Sequence, residues 1–317
     1  MPPTPILFGG FPDYLEPQFS AATITGSADS DYPLSRLRER RLYRKARLTA
    51  TGEWVIAWTY GGETREVSAF TLADHNFPAD ATVEPVLYGV DDFVVGVTEP
   101  VYTGGERPAL EPWDTQFTSA ETPDWGSFEW GGASPEERVL ALPRNFIHPI
   151  LESATASRNL PTKPRHITCM GGALIIRGLS TAPSAFAQAG MLMTTKLWQP
   201  PHTFRWNWKV EMQQLGELPQ ASRSGILWGR YWGAIRAMRL DLDLLDRSEI
   251  LDFPWTFSYD RGWASPLLVI PEPDHPEFWW ACAGLWSLKP GQLLGMEARP
   301  TLRQLWDIGT IQLVDWR

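Results

Sequence analysis

Apolar and polar side chains alternate strictly along two stretches of this chain. Residues 204–213 read Phe-Arg-Trp-Asn-Trp-Lys-Val-Glu-Met-Gln, and residues 238–244 read Met-Arg-Leu-Asp-Leu-Asp-Leu. A period of two places all the apolar side chains on one face of a pleated strand and all the polar ones on the other. Both stretches therefore predict strands of a sheet that has one packed face and one solvated face.

Similar patterns predict further strands elsewhere. Residues 54–60 alternate and are followed by Gly61 and Gly62, which tolerate the positive φ of a tight turn. Two stretches, 165–169 and 173–177, are predicted to form a hairpin that reverses at Gly171 and Gly172. The other predicted strands are residues 67–72, 83–90, 267–270, 278–286 and 308–316. The pattern as a whole predicts a mostly β fold.

Two segments lack any period. Residues 1–19 are rich in proline and aromatic residues, which predicts an extended N-terminal arm that lies over a surface of its own subunit or of a neighbour. Residues 101–162 are rich in Pro, Gly, Ser, Glu and Trp, which predicts a long irregular insertion. Loops longer than about 15 residues are usually functional or disordered, and the aromatic content disfavours disorder.

Chain length and composition favour two domains. The chain has 317 residues, of which 28 are proline and 26 are glycine. Single cores usually stop growing at about 250–300 residues, and many prolines and glycines imply many turns. We therefore expect two β-sandwich or jelly-roll-like domains, residues 1–200 with the arm and the insertion and residues 201–317, separated near residues 197–201.

Charge and cysteine content exclude several classes of function. The formal net charge of −9 argues against general nucleic-acid binding, which needs an excess of Lys and Arg. Cys169 and Cys282 stand far apart without metal-site spacing, so both are predicted to be buried thiols. Neither a secretory signal in residues 1–15 nor an apolar run of about 20 residues is visible, so we expect synthesis in the cytoplasm and no membrane span.

Motifs for catalysis or metal binding are missing from the sequence. It contains no P-loop, no dinucleotide-type glycine pattern and no paired-histidine metal motif. Asp241 and Asp243 share a strand face with Arg239, which can neutralise them, and the adjacent Asp91 and Asp92 supply too few oxygens for calcium. We therefore predict no catalytic residue, no cofactor and no metal site. A glycan-cleaving enzyme would need two carboxylates flanking a sugar, which the sequence alone cannot place.

Aromatic and arginine residues are the strongest chemical signal. Indole rings either stack on sugar faces or dominate protein interfaces, and the interface interpretation is favoured because the 17 tryptophans are spread over both predicted domains. The candidates are Trp113, Trp125, Trp130, Trp228, Trp232, Trp263, Trp279 and Trp280. Seven basic residues between 36 and 47 surround Glu39, either as a solvated face or as an anchor for an acidic partner. Candidate anchors are Arg36, Arg40 and Arg44.

The order of several short motifs resembles a group of tailed-phage and gene-transfer-agent virion proteins. The N-terminal part of those proteins is a galactose-binding-like, discoidin-type jelly roll. The resemblance covers most of the chain. It rests on residues 32–37 (Tyr-Pro-Leu-Ser-Arg-Leu), 72–76 (Leu-Ala-Asp-His-Asn), 165–168 (Arg-His-Ile-Thr), 196–200 (Lys-Leu-Trp-Gln-Pro), 204–208, 267–274 and 314–316.

This resemblance implies a structural component of a phage tail, near its distal end or baseplate. It implies that residues 1–200 form the jelly roll, and that the chain is present in several copies and contacts other tail or baseplate proteins. The protein would then reside in the virion tail after its synthesis in the host cytoplasm. The alternative is a glycan-binding module that contacts host surface polysaccharide during adsorption. The fold hosts both kinds of module.

Overall fold

The structure is a computed structural model in which most of the chain is described. The described residues are 6–10, 13–16, 22–48, 52–78, 80–109, 145–152, 163–179, 186–200, 208–216, 220–221, 227–228, 231–242, 245–246, 265–273, 282–289, 297–298, 305–307 and 309–316. Beyond residue 200, side chains are described for residues 208–211, 235–241, 265–273, 282–289 and 310–316.

Strands dominate these ranges, which confirms the predicted mostly β fold. A single 3-10 helix covers Leu34–Arg38 within them. The strands are β1 (Ile6–Gly9), β2 (Thr23–Gly26), β3 (Ala46–Leu48), β4 (Trp54–Thr59), β5 (Arg65–Val67), β6 (Ala69–Ala73), β7 (Thr82–Tyr88), β8 (Tyr102–Thr103), β9 (Arg107–Pro108), β10 (Asn145–Pro149), β11 (Ile167–Cys169), β12 (Gly171–Arg177), β13 (Ala187–Ala189), β14 (Met191–Thr195), β15 (Trp208–Gly216), β16 (Gln220–Ala221), β17 (Leu227–Trp228), β18 (Tyr231–Leu242), β19 (Leu245–Asp246), β20 (Leu267–Pro271), β21 (Gly284–Leu288), β22 (Glu297–Ala298), β23 (Leu305–Asp307) and β24 (Gly309–Asp315).

The first part of the chain forms a sandwich of antiparallel sheets. Its larger sheet has the order β2-β4-β12-β7-β8, with β9 also paired to β7, and its smaller sheet has the order β10-β6-β14. The alternation predicted for residues 54–60 is confirmed, because Trp54, Ile56 and Trp58 are fully buried in the sandwich core with Phe70 and Leu72 of β6. The predicted turn is confirmed by the positive φ of the two glycines at 61 and 62.

The second part of the chain contributes most of a six-stranded antiparallel sheet, in the order β1-β20-β21-β24-β18-β15. Met238 and Leu240 are buried while Arg239 between them is exposed, which confirms the alternation predicted for residues 238–244 over its described part; residues 243 and 244 lie outside the described part of the chain. Residues 267–270 form a fully buried strand, as predicted from their unbroken apolar run. The predicted strand at 204–213 is described from Trp208 onward, and residues 204–207 lie outside the described part of the chain.

The N-terminal arm contains an edge strand of this second sheet. β1 pairs antiparallel with β20, from Ile6 opposite Pro271 to Gly9 opposite Leu268. The strand shows no alternation in sequence because both of its faces are buried. Ile6 and Phe8 pack into one apolar cluster and Leu7 packs into another. Residues 6–9 of the arm therefore lie on their own chain, and they complete a sheet whose other strands come from the second part of the chain.

The two sheet systems share an apolar core. β6 is buried on both faces: Phe70 points into the first sandwich, whereas Ala69 and Ala73 face the second sheet. The cluster between them contains Leu7, Ala69, Ala73, Ile147, Met191, Met193, Leu268, Ile270 and Leu285. Strands of both sheet systems contribute side chains to this cluster, so the two parts are packed against each other. The predicted division at residue 200 stays a prediction.

The predicted hairpin across Gly171 and Gly172 is wrong. β11 pairs with β5, whereas β12 begins at Gly171 and lies between β4 and β7. The glycines serve close packing within β12 and make no turn. A Cβ on Gly171 would lie 2.5 Å from the backbone oxygen of Trp58, and one on Gly172 would lie 2.7 Å from that of Val86.

The predicted insertion is less irregular than expected at both ends. β8 and β9 pair with β7, and β10 pairs with β6 from Asn145 opposite Ala73 to Pro149 opposite Ala69. The sequence of β10 shows no alternation of apolar and polar residues, because Phe146 to Pro149 are all buried and both faces of the strand are covered. Residues 110–144 and 153–162 lie outside the described part of the chain.

Candidate functional site: an exposed loop of valines

Most of the exposed large apolar side chains of the described residues lie in one loop. They are Tyr43, which is 74% exposed, and Val90, Val94, Val97 and Val101, with exposures of 43%, 56%, 82% and 50%. The four valines belong to residues 89–101, which connect β7 to β8 and are termed the valine loop. Single exposed apolar residues are common on protein surfaces, whereas apolar residues concentrated in one patch often mark an interaction site.

The valine loop is anchored to the outer face of the larger sheet by its inward side chains. The ring of Phe93 stacks on Tyr88, with centroids 4.1 Å apart and an angle of 8° between the planes. Val95 joins it against Val86 and Ala173, in an apolar cluster separate from the sandwich core. The exposed valines are therefore held on a packed base.

Hydrogen bonds fix the backbone of the same loop. The amide of Val94 donates to Oγ1 of Thr98 (2.8 Å), and the amide of Val97 donates to the carbonyl oxygen of Val94 (3.0 Å). At the end of the loop the amide of Val101 donates to the carbonyl oxygen of Leu87 (2.9 Å). A loop held in this way loses little conformational entropy when it binds, which favours recognition of a partner.

The valine loop is acidic. It contains Asp91, Asp92 and Glu99 and no Lys, Arg or His. Asp92 and Glu99 are exposed and Asp91 is half-buried, so the apolar patch carries carboxylates at its rim. An apolar centre with a charged rim is the usual arrangement of a protein interface.

A second acidic group lies on the same outer face of the larger sheet. Arg177 of β12 donates to Glu53 (3.0 Å), Glu84 (2.9 Å) and Glu106 (2.6 Å). The hydrogen bond to Glu84 is the main reason that the pKa of Arg177 is raised. Three carboxylates around one guanidinium leave this partly exposed group with a net negative charge. The outer face is thus acidic at the loop and beyond it.

The candidate arginines have mainly internal partners. Arg40 forms a salt bridge with Asp13, which is buried, and Nη1 of Arg36 donates to the carbonyl oxygen of Lys45 (3.3 Å). Arg44 is 48% exposed and pairs with Glu39 at 3.3 Å. The structure therefore leaves Arg44 at the surface, whereas Arg40 ties the N-terminal segment to the sandwich. Their predicted role in a subunit contact stays a prediction.

The tryptophan candidates lie outside the part of the chain whose side chains are described. Trp228 is in β17 and Trp232 is in β18, but their side chains, and residues 113, 125, 130, 263, 279 and 280 as a whole, are not among the described ones. Of the described tryptophans, Trp54, Trp58 and Trp286 are fully buried. The interface or glycan role of the candidates stays a prediction.

Both cysteines are buried free thiols, which confirms the prediction for them. Burial raises the pKa of each to about 12, so neither is a thiolate near neutral pH. Within the described ranges no three His, Cys, Asp or Glu side chains are grouped to hold a metal ion. Asp241 accepts a hydrogen bond from Oγ1 of Thr310 (2.6 Å).

A polar groove lies on the second sheet, beside the region that the first sandwich covers. Its volume is about 340 Å³, and its polar lining consists of Glu211, Arg239, Lys289 and Gln312 from four neighbouring segments. Nζ of Lys289 donates to Oε1 of Gln312 (3.2 Å), and Arg239 lies 3.8 Å from Glu211. Charged and amide groups of this kind can hydrogen-bond a polar ligand.

The valine loop has no counterpart among the sites predicted from the sequence. Val90 belongs to the predicted strand 83–90, which ends at Tyr88 in the structure. Val94, Val97 and Val101 have no strand period and stand among breakers such as Gly96 and Pro100. A segment with turn residues is expected at the surface. Repeated valines in such a segment are therefore the sequence signal that could have indicated an exposed interaction site. Which valines point outward depends on the stacking of the Phe93 ring, which sequence does not specify.

Comparisons with known proteins find limited similarity. No family model and no curated protein matches the chain. A chain of the crystal structure of reduced XRCC1 bound to the catalytic domain of DNA polymerase β is similar at 9% identity and a TM-score of 0.32, over 54% of this chain and 92% of that one. The family 32 carbohydrate-binding module of C. perfringens NanJ, in complex with galactose, is similar at 11% identity and a TM-score of 0.29, over 55% and 93%. Among the described residues, no helix is long and apolar enough to cross a membrane.

Proposed function

We propose that this protein is a non-enzymatic structural component of a phage-type tail, near its distal end or baseplate, and that its valine loop docks onto another protein of the assembly. The observation that carries the proposal is the concentration of four exposed valines on one anchored loop. The virion setting rests on the motif resemblance at residues 32–37, 72–76, 165–168 and 196–200.

The mechanism would be geometric. The first sandwich and the second sheet share an apolar core that includes Leu7 of β1, so the valine loop is presented by a unit that resists bending. Burying exposed valines stabilises a contact by removing apolar area from water, at about 25 cal/mol per Å². The acidic rim supplies orientation and selects a partner with a basic surface.

Incorporation into particles tests this proposal. In cells that carry the gene in its genomic context, a tagged chain should sediment with tail particles, and the double substitution V94D/V97D should leave it in the free fraction. The control T25D/S27D adds the same two charges at exposed positions of β2 and the segment that follows it, and it should sediment like the wild type. Wild-type protein that stays free, or V94D/V97D protein that is incorporated normally, would contradict the proposal.

Glycan binding during adsorption is the second candidate function, and the polar groove on the second sheet favours it. Its volume of about 340 Å³ is within the range of small-ligand sites, roughly 300–1,000 Å³. The wild type should then retain host polysaccharide, R239A/Q312A should lose this retention, and the control T25D/S27D should keep it. Equal retention by both variants, or none by the wild type, would exclude the groove.

A further inference from the structure

A second exposed patch has the opposite charge from the valine loop. It is formed by residues 39–45, termed the basic segment, where Arg41, Tyr43 and Arg44 are exposed. Among the described residues, five large apolar side chains are exposed: Tyr43 and the four in the valine loop. The segment has four basic residues and one acid, Glu39. Tyrosine and arginine are among the residue types that most often dominate interfaces.

The two patches lie on opposite sides of the first sandwich. Leu42, next to Tyr43, packs on the outer face of the smaller sheet with Ala73 and Met191, in the cluster that lies between the first sandwich and the second sheet. The valine loop covers the outer face of the larger sheet through Phe93. The sandwich core separates these faces, so one molecule cannot bring its own two patches together.

We propose that the valine loop of one copy of this chain binds the basic segment of the next copy, in a head-to-tail contact. The inference rests on the proposed function, for which it names the partner. Complementarity of charge selects this occupant: the loop carries Asp92 and Glu99 at its rim, and the segment presents Arg41 and Arg44 around Tyr43. Two different patches on opposite sides make the contact heterologous, so copies add in one direction and form a ring or an open stack.

A heterologous contact predicts a specific result when two damaged variants are mixed. V94D/V97D has a damaged loop and an intact basic segment, whereas R41E/Y43D has the reverse. Sedimentation velocity of the purified full chain should show association that grows with concentration and weakens with salt. Each variant alone should associate roughly 10- to 100-fold more weakly than the wild type. Their equimolar mixture should form dimers and nothing larger, because one intact loop meets one intact segment.

A charge exchange supplies an independent check. R41E/R44E and D92K/E99K should each weaken association. Their equimolar mixture should associate beyond dimers, because the unchanged acidic loop of the first variant faces the arginines of the second, and the lysine loop of the second faces the glutamates of the first. The control T25D/S27D should associate like the wild type. Circular dichroism and melting of each variant show whether it is folded, and the mixing result itself requires folded partners.

Several outcomes would overturn the proposal. A wild-type chain that stays monomeric at its highest soluble concentration excludes self-contact. If V94D/V97D is then still left out of particles, the loop binds a different protein and the proposed function stands. Self-association without incorporation into particles would instead support the head-to-tail contact and contradict the tail function. Variants that associate as the wild type does, or a mixture that stays monomeric, would show that these patches do not bind each other.

Discussion

The rings of Phe93 and Tyr88 are stacked nearly parallel, with centroids 4.1 Å apart. This contact joins the valine loop to the last residue of β7, so it sets which valines of the loop face outward. Aromatic pairs contribute about 0.5–1.5 kcal/mol beyond the area that they bury. The stack is therefore a local anchor, strong enough to order the loop and weak enough to remove without unfolding the sandwich.

We predict that Phe93→Ala loosens the valine loop and weakens association, because the loop must then be ordered upon binding. Hydrogen exchange should become faster at residues 94–101 and stay unchanged in β4 and β12. Phe93→Tyr, which keeps the ring, is the matched control. Unchanged exchange in the loop of the alanine variant would show that other contacts hold it.

The buried His148 makes stability depend on pH. Burial, and to a smaller extent the positive charge of Arg107, lowers the pKa of His148 from 6.5 to about 3. Nε2 of the ring lies 2.7 Å from the hydroxyl of Tyr102. Below pH 6.5 the unfolded chain binds a proton at this residue and the folded chain does not, so folding is favoured less as the pH falls towards 3.

The free energy of unfolding of the wild type should accordingly fall by about 1.4 kcal/mol per pH unit more than that of His148→Gln between pH 6 and 4. Denaturant titrations at a series of pH values would measure the free energy of unfolding of both proteins. The contributions of the other titrating groups cancel in the difference between the two values. Parallel curves for the two proteins would mean that His148 titrates alike in the folded and unfolded states.

A buried ion pair joins β18 to β24 in the second sheet. Nε of Arg236 donates to Oδ1 of Asp315 (2.9 Å), and Nη1 donates to the carbonyl oxygen of Ala283 (3.2 Å). The guanidinium also lies 4.9 Å from the ring centroid of Trp286. Removing one partner of such a pair leaves an uncompensated charge in the interior.

Arg236→Met should therefore lower the free energy of unfolding by about 3–5 kcal/mol, whereas the double variant R236M/D315L should recover most of that loss. Chemical denaturation of the single and double variants forms a cycle that isolates the pairwise energy. A double variant that loses the sum of the two single effects would show that the residues act independently.

Strand β1 should be essential to the second sheet, although it lies far in sequence from the other strands of that sheet. Leu7 is fully buried between that sheet and the first sandwich, so Leu7→Ala should cost about 2–5 kcal/mol of unfolding free energy. Val97→Ala also removes methyl groups, but from a position that is 82% exposed. It should change the free energy of unfolding by no more than about 0.5 kcal/mol in dilute solution. Equal effects of the two substitutions would contradict the burial of β1.

Sequence patterns predict elements whose two faces differ in polarity. Residues 54–60 and 238–242 can be assigned because Trp54 or Met238 faces the core while their neighbours do not. β1 and β10 cannot, since both of their faces are buried and the alternation disappears. The turn predicted at Gly171 is wrong because glycine supports either a turn or a close approach, and only the neighbouring Trp58 backbone decides between them.

The candidate site was less predictable than the fold. The basic residues near Glu39 stand out as a group, but the sequence cannot separate Arg40, which is paired with Asp13, from the exposed Arg44. The partner of a charged side chain is set by segments distant in sequence. The valine loop escapes prediction for a similar reason, because its orientation depends on the base that Phe93 finds on β7.

Solvent accessibility of position 97 in the assembled particle tests the central claim most directly. Cys169 and Cys282 are buried, and burial raises the pKa of each thiol to about 12, so a maleimide should label V97C in preference to them. V97C should react quickly in the free chain and lose most of its labelling in tail particles, while the control T25C reacts in both. Labelling of V97C that is as fast in particles as in the free chain would contradict the account.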